Sequence, residues 1–125
     1  ILPEHKPRHL LGIGEPEDIV QWIRMGCDTF DCVQPTRLAR TGTAYVHDNS
    51  EVGIGKINLM NTKFQKDFSK LDEGCACMVC EKYTKAYIAH LFRSKEMLGA
   101  HLLSIHNLYT IVEFTKNLRE SILRS

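Results

Sequence analysis

With 125 residues, 43% of them hydrophobic and 25% charged, the chain can build one modest core and lies far from the composition of a disordered segment. Its net charge of +1 gives no global attraction to nucleic acid, and it lacks the run of about 18 apolar residues that would cross a bilayer. No signal-peptide pattern opens it and its five cysteines are an odd number, so membrane and secreted placements are set aside and a cytoplasmic protein is expected.

Ile1-Leu2-Pro3-Glu4-His5-Lys6-Pro7 has no initiator Met and reads as a surface connection, which suggests a piece of a longer protein. It leads into an expected strand over residues 8–13. Gly12 and Gly14 then turn the chain. Pro16, Glu17 and Asp18 suit a first helical turn, since Pro needs no N–H there and the acids face the positive end of the helix dipole. Ile19, Val20, Trp22 and Ile23 supply an apolar stripe, and Gly26 is the expected residue just past the helix end. Residues 29–33 resume as a buried strand, completing a strand–helix–strand unit of the kind found in parallel α/β folds.

Asp31 stands inside that apolar strand. A buried carboxylate is costly without a partner, so it either pairs with Arg37, caps a neighbouring loop, or serves chemistry at a strand end. Gly12-x-Gly14 lacks the third glycine of a dinucleotide fingerprint and is a weak phosphate signal. Further on, residues 43–47 and 55–60 bracket Asp48-Asn49-Ser50 and predict a β-hairpin. Residues 63–74 are polar and irregular. The basic groups Lys6/Arg8, Arg37/Arg40, Lys63/Lys66/Lys70 and Lys82/Lys85 read first as solvated faces.

Cys75-Ala-Cys77-Met-Val-Cys80 is too dense for buried free thiols to be the favoured reading and too close in sequence for easy disulfide pairing. Three thiolates completed by one imidazole match the Cys₃His class of closed structural zinc site. For the fourth ligand the residues alone divide between His106 and His101, with His90 third; His5, His9 and His47 are expected to be ordinary surface or loop histidines. Tyr83, Tyr87, Ile88, Leu91 and Phe92 fall at helical spacing, as core rather than base-stacking groups. A last helix is expected to start near Ser104 to His106, with Leu108, Ile111, Val112, Thr115, Leu118 and Ile122 on one side and Arg119 and Arg124 near its end.

Three stretches in order carry a resemblance: Phe30-Asp31-Cys32-Val33-Gln34-Pro35-Thr36-Arg37-x-x-Arg40-x-Gly42; Cys75-x-Cys77-x-x-Cys80-x-x-Tyr83-x-x-Ala86-Tyr87; and Ile105-His106-Asn107-Leu108. With Leu11-Gly12-Ile13-Gly14-x-Pro16-x-Asp18, they are similar to the C-terminal portion of the tRNA-guanine transglycosylase (queuine tRNA-ribosyltransferase) family over nearly the whole chain. Gln34, Thr41 and Ala89 depart from the family pattern, at positions where an apolar residue, an Asn and a second His are common. The short zinc-plus-helix arrangement resembles bacterial members most.

The resemblance implies an α/β fold, the C-terminal part of a (β/α)₈ TIM barrel with an inserted zinc-binding subdomain. Residues 1–42 would be the last two barrel strands with their helix and catalytic loop, 43–106 the hairpin and zinc subdomain, and 107–125 the closing helix. It implies an enzyme that exchanges guanine at the tRNA wobble position for a 7-deazaguanine base, 7-aminomethyl-7-deazaguanine in the bacterial type, through a covalent enzyme–tRNA intermediate. Asp31 would be the catalytic nucleophile, Leu11 a pocket residue where Met is usual, and Arg37 and Arg40 anticodon-loop contacts. Cys75, Cys77, Cys80 and His106 would hold one structural Zn²⁺. A homodimer is implied for the full-length protein, with no membrane partner. The second proton-handling carboxylate falls outside this sequence, so the segment alone is expected to be inactive. The alternative is a stand-alone zinc-dependent tRNA-binding or interaction module.

Overall fold

The computed structural model describes residues 1–125 and opens with a parallel pair, β1 (His9–Leu10) and β2 (Thr29–Phe30), joined through helix α1 (Pro16–Arg24). α1 forms as its sequence predicts: Pro16 occupies the first turn, Glu17 and Asp18 follow, Pro16 and Ile19 are buried, and Gly26 leaves the helix at φ 97°. Both strands are shorter than the expected runs over 8–13 and 29–33. Gly12, at φ 70°, turns the chain out of β1, and Val33 already has helical dihedrals as the N-cap of α2 (Gln34–Arg40). A helix directly after β2 was not anticipated; Pro35 suits its first turn, where no N–H is needed.

The predicted hairpin is present as β3 (Thr43–His47) antiparallel to β4 (Ile54–Asn58). The stretch after it is mostly irregular, with one short 3-10 turn at Thr62–Phe64, as its polar composition suggested. Two short helices follow, α3 (Met78–Lys82) and α4 (Lys85–Arg93), the second capped by the Thr84 hydroxyl on the Tyr87 N–H.

Helix α5 (Met97–Arg124) begins well before the expected Ser104 to His106. Gly99, in its first turn, is a packing residue: a Cβ there would lie 3.1 Å from the Phe92 ring and 3.2 Å from Leu91 Cβ, so the glycine lets α5 cross closely over α4. The buried stripe also differs from the expected one. It comprises Leu102, Leu103, His106, Asn107 and Thr110, whereas Leu108, Val112 and Ile122 are about half exposed. An apolar count along the helix could not find a core face that carries three polar residues.

The core gathers around this stripe. Ala39 of α2, Ala44 of β3, Leu59, Leu71, the three clustered cysteines, Val79, Ile88 and Leu91 pack with Leu102 and Leu103, while α1 contributes little beyond Ile19. Ile88 and Leu91 are interior as predicted; Tyr87 is exposed and stacks on Tyr83 with ring centroids 5.4 Å apart.

Asn107 fastens three elements. Its amide donates to the Pro35 carbonyl at 2.9 Å and the Thr43 carbonyl at 3.0 Å, and its carbonyl accepts from the Tyr45 N–H at 2.9 Å, all with the side chain fully buried. Asn107→Leu, of similar volume, would strand these backbone groups. The expected result in urea unfolding is a loss of about 2–5 kcal/mol, since each buried polar group left unpaired costs about 1–3 kcal/mol; an unchanged midpoint would show that the clamp contributes nothing.

Candidate metal centre and candidate active site

The sulfurs of Cys75, Cys77 and Cys80 and a ring nitrogen of His106 lie within 4.8 Å of one another, all on buried residues. Each residue comes from a local feature. Cys75 follows the turn closed by Asp72, Cys77 is the N-cap of α3, Cys80 lies on that helix, and His106 projects from the buried face of α5. His101 and His90 are exposed, so among the three candidate histidines only His106 joins the thiols.

The donor set fits a four-coordinate metal ion. His106 Nδ1 is 3.6 Å from Cys75 Sγ and 3.4 Å from both Cys77 and Cys80 Sγ. A tetrahedral ion with metal–sulfur bonds near about 2.3 Å and metal–nitrogen bonds near about 2.0–2.1 Å requires that edge to be about 3.5 Å. On the far side of the ring, His106 Nε2 donates to the Tyr45 carbonyl at 2.6 Å. That bond leaves the Nδ1 lone pair facing the sulfurs, the tautomer a ligand needs. The backbone N–H of Cys77 donates to Cys75 Sγ and that of Cys80 to Cys77 Sγ, each at 3.4 Å. Hydrogen bonds from Cys80, His106 and the Cys80 backbone hold the Cys77 thiol below its usual range, while burial pushes Cys75 up and the hydrogen bond with Cys77, followed by burial, pushes Cys80 up. A bound cation would favour the thiolate form of all three and release their protons.

A neighbouring contact escaped the sequence reading. His47, expected to be an ordinary loop residue, pairs through Nδ1 with Asp72 Oδ2 at 2.7 Å; its backbone N–H reaches the same oxygen at 3.2 Å, and Asp72 Oδ1 accepts from the Gly74 N–H at 3.1 Å. Asp72 is 5% exposed. This pins the loop entering Cys75 to the end of β3. A histidine and an aspartate 25 positions apart give no local signal of it.

The second site lies where the parallel strands end. Leu11 follows β1 and Asp31 follows β2, and both are exposed, Leu11 at 76%. Asp31 is therefore not the buried strand residue expected, and its partner is not Arg37. His9 Nε2 meets Asp31 Oδ1 at 2.9 Å, and the Gly12 N–H donates to the same oxygen at 3.3 Å. The His9 bond first, and then that of Gly12, hold the carboxyl below the usual carboxylate range, so it is ionised throughout the neutral range. His9 had been expected to be an ordinary surface residue.

Arg37 and Arg40 follow on α2, both exposed, with neither in an ion pair or side-chain hydrogen bond. Spaced by three, they lie on one helix face with their donors free. Lys85, by contrast, is tied to Ser69 Oγ at 3.1 Å and lies 3.9 Å from Asp67, which removes it from the set of free basic groups. Glu15 joins the two halves of this region, accepting from Gln34 Nε2 at 3.0 Å and pairing with Lys56 at 2.9 Å. Gln34, a departure from the family pattern, thus has a structural partner. A cleft of about 580 Å³ opens between Phe30, Asp31 and Cys32 on one side and Leu108, Ile111 and Val112 of α5 on the other.

All of residues 1–125 match the family model described as queuine tRNA-ribosyltransferase. Relatives bearing that name include proteins of Cyanothece sp., 47% identical, and Synechococcus elongatus, 50% identical, each aligned over 123 residues and 98% of this chain. A Helicobacter pylori protein of the same name is 46% identical over the same share. The aligned segment makes up 31%, 30% and 32% of those three proteins, so the chain spans about a third of the length of the curated relatives it matches.

The metal site carries a direct prediction. Elemental analysis is expected to find one metal ion per chain, lost in Cys77→Ser and His106→Ala but retained in His101→Ala and His90→Ala. Loss of metal is expected to abolish cooperative unfolding of this region, because the ligands converge from separate segments. A metal-free His101→Ala variant would reassign the fourth ligand.

Proposed function

This chain belongs to the queuine tRNA-ribosyltransferase family, and from that membership we propose that it is the C-terminal portion of a tRNA-guanine transglycosylase with Asp31 as its nucleophile. The observation that carries the proposal is an exposed, ionised carboxylate at the end of a parallel strand, followed on the next helix by two arginines with no other partner. Ligands of barrel and open α/β enzymes sit at the carboxyl ends of parallel strands.

In this reading residues 1–42 are the last two strands of a (β/α)₈ barrel with their helix and catalytic loop, 43–106 the inserted zinc subdomain, and 107–125 the closing helix. The reaction is a double displacement at the ribose of the wobble nucleotide. An oxygen of Asp31 forms a bond to C1′, the C1′–N9 bond breaks, and its electron pair leaves with guanine, which takes a proton from a second carboxylate supplied by the remainder of the enzyme. The incoming 7-deazaguanine, 7-aminomethyl-7-deazaguanine in a bacterial-type enzyme, loses a proton to that carboxylate and attacks C1′. The bond to Asp31 then breaks and the carboxylate is restored. Two inversions retain configuration, as in retaining glycoside hydrolases.

Leu11, exposed one position beyond β1, offers an apolar contact to the flat base. Arg37 and Arg40 supply planar, forked donors for phosphate or base edges of the anticodon loop, which lysine could not reproduce. Cys75, Cys77, Cys80 and His106 would hold one Zn²⁺, and four protein ligands of this kind suit a structural rather than a catalytic ion. The full-length protein is a cytoplasmic homodimer.

Two measurements test this. In the full-length protein, Asp31→Asn is expected to abolish covalent trapping of tRNA while tRNA affinity stays within about threefold, because the amide keeps the shape and loses the nucleophile. Persistent trapping would remove Asp31 from the role. The isolated 125-residue segment is expected to show no base exchange, since the proton-handling carboxylate is absent, and exchange by the segment alone would refute that division of labour.

A further inference from the structure

The register of β1 and β2 puts three side chains in a row. His9 is the partner of Thr29 across the ladder, and Asp31, two residues further on, emerges on the same face as Thr29. The His9 ring bridges them, with Nδ1 2.7 Å from Thr29 Oγ1 and Nε2 2.9 Å from Asp31 Oδ1.

The chemistry of the carboxylate fixes one proton. An ionised carboxylate only accepts hydrogen bonds, so Nε2 must carry the hydrogen. On the other side of the ring Nδ1 is held by the Thr29 hydroxyl, which can donate or accept. The Gly12 N–H is the second donor to Asp31, and it too is on Oδ1. Both donors therefore fall on one oxygen, and Oδ2 has neither.

We propose that His9 is a positioning residue for the nucleophile: anchored by Thr29 at Nδ1, it pins Asp31 through Oδ1 and presents Oδ2 as the atom that attacks the ribose. The proposal rests on the nucleophile reading above. In the covalent intermediate Oδ2 would carry the ribose and Oδ1 would be the ester carbonyl. When the incoming base displaces the ester, negative charge returns to the carboxylate, and the Nε2–H and the Gly12 N–H already stand at Oδ1 to receive it. His9 thus serves both halves of the exchange without touching the substrate. Its own ring remains 43% exposed at the side chain, so replacing it does not open the core.

The experiment measures kcat and KM for tRNA in the full-length enzyme with His9→Phe, which keeps a planar ring and removes the donor, and with His9→Gln, whose amide restores one. His9→Phe is expected to lower kcat about tenfold, the lower end of the effect of losing a hydrogen bond to a charged group, with KM within about threefold. His9→Gln is expected to recover most of that loss. An unchanged kcat in His9→Phe, or a loss that His9→Gln fails to recover, would overturn the proposal. Nitrogen NMR of the wild-type protein with labelled histidine reads the ring protons directly: a hydrogen on Nε2 is expected, and a ring protonated only at Nδ1 would overturn the proposal even if His9→Phe failed to fold. Asp31→Asn, run alongside, separates the two levels. If it still traps tRNA, the nucleophile reading has failed; if it does not and His9→Phe is as fast as wild type, only the role of His9 has.

Discussion

Two consecutive residues of one helix, His106 and Asn107, hold this chain together. Both are fully buried, and between them they engage the three cysteines, the Tyr45 carbonyl and N–H, and the carbonyls of Thr43 and Pro35. Neighbouring positions on a helix point about 100° apart, so one ring turns toward the thiols while the next amide turns toward β3 and α2. α5 is thereby fixed in rotation and in height against everything else. A polar core face is tolerable here only because these polar atoms find partners; left unpaired, they would oppose folding.

That constraint reaches the proposed active site through the backbone. Asn107 grips Pro35, in the first turn of α2, and Asp31 lies four residues earlier at the end of β2. Glu15 adds a second tie, linking the turn before α1 to Gln34 and to Lys56 of β4. The metal ligands and the carboxylate are thus parts of one packed body although they share no atom contacts. A structural ion suits this arrangement, since it cross-links a loop, a short helix and the long helix where the apolar core alone is modest.

How legible this was from sequence depended on the range of the interaction. α1 was readable from Pro16, the acids after it and Gly26, because its signals are local; so was the hairpin. The cysteine cluster was readable because its members are close in sequence. His106 was not separable from His101 by spacing, and burial on α5 decides between them. α5 starts earlier than expected, and Gly99 within its first turn serves a contact with Phe92 and Leu91 that no local pattern reveals. Asp31 drew notice for the wrong reason: it was suspected as a buried charge and is instead an exposed one, held by His9 across the ladder. The pairs His9–Asp31, His47–Asp72 and Asn107 with Pro35 join residues 22, 25 and 72 positions apart, and only the fold brings such groups together.

A core tied to its metal-ligating cluster and an exposed carboxylate at the strand ends make a division of labour, with structure on one side and chemistry on the other. Mapping the site of the covalent bond tests it most directly. The full-length enzyme would be trapped on tRNA, digested with nuclease and protease, and its peptides sequenced by mass spectrometry. A nucleotide remnant on Asp31 is the predicted result; a remnant on any other side chain, with Asp31 unmodified, would contradict the account.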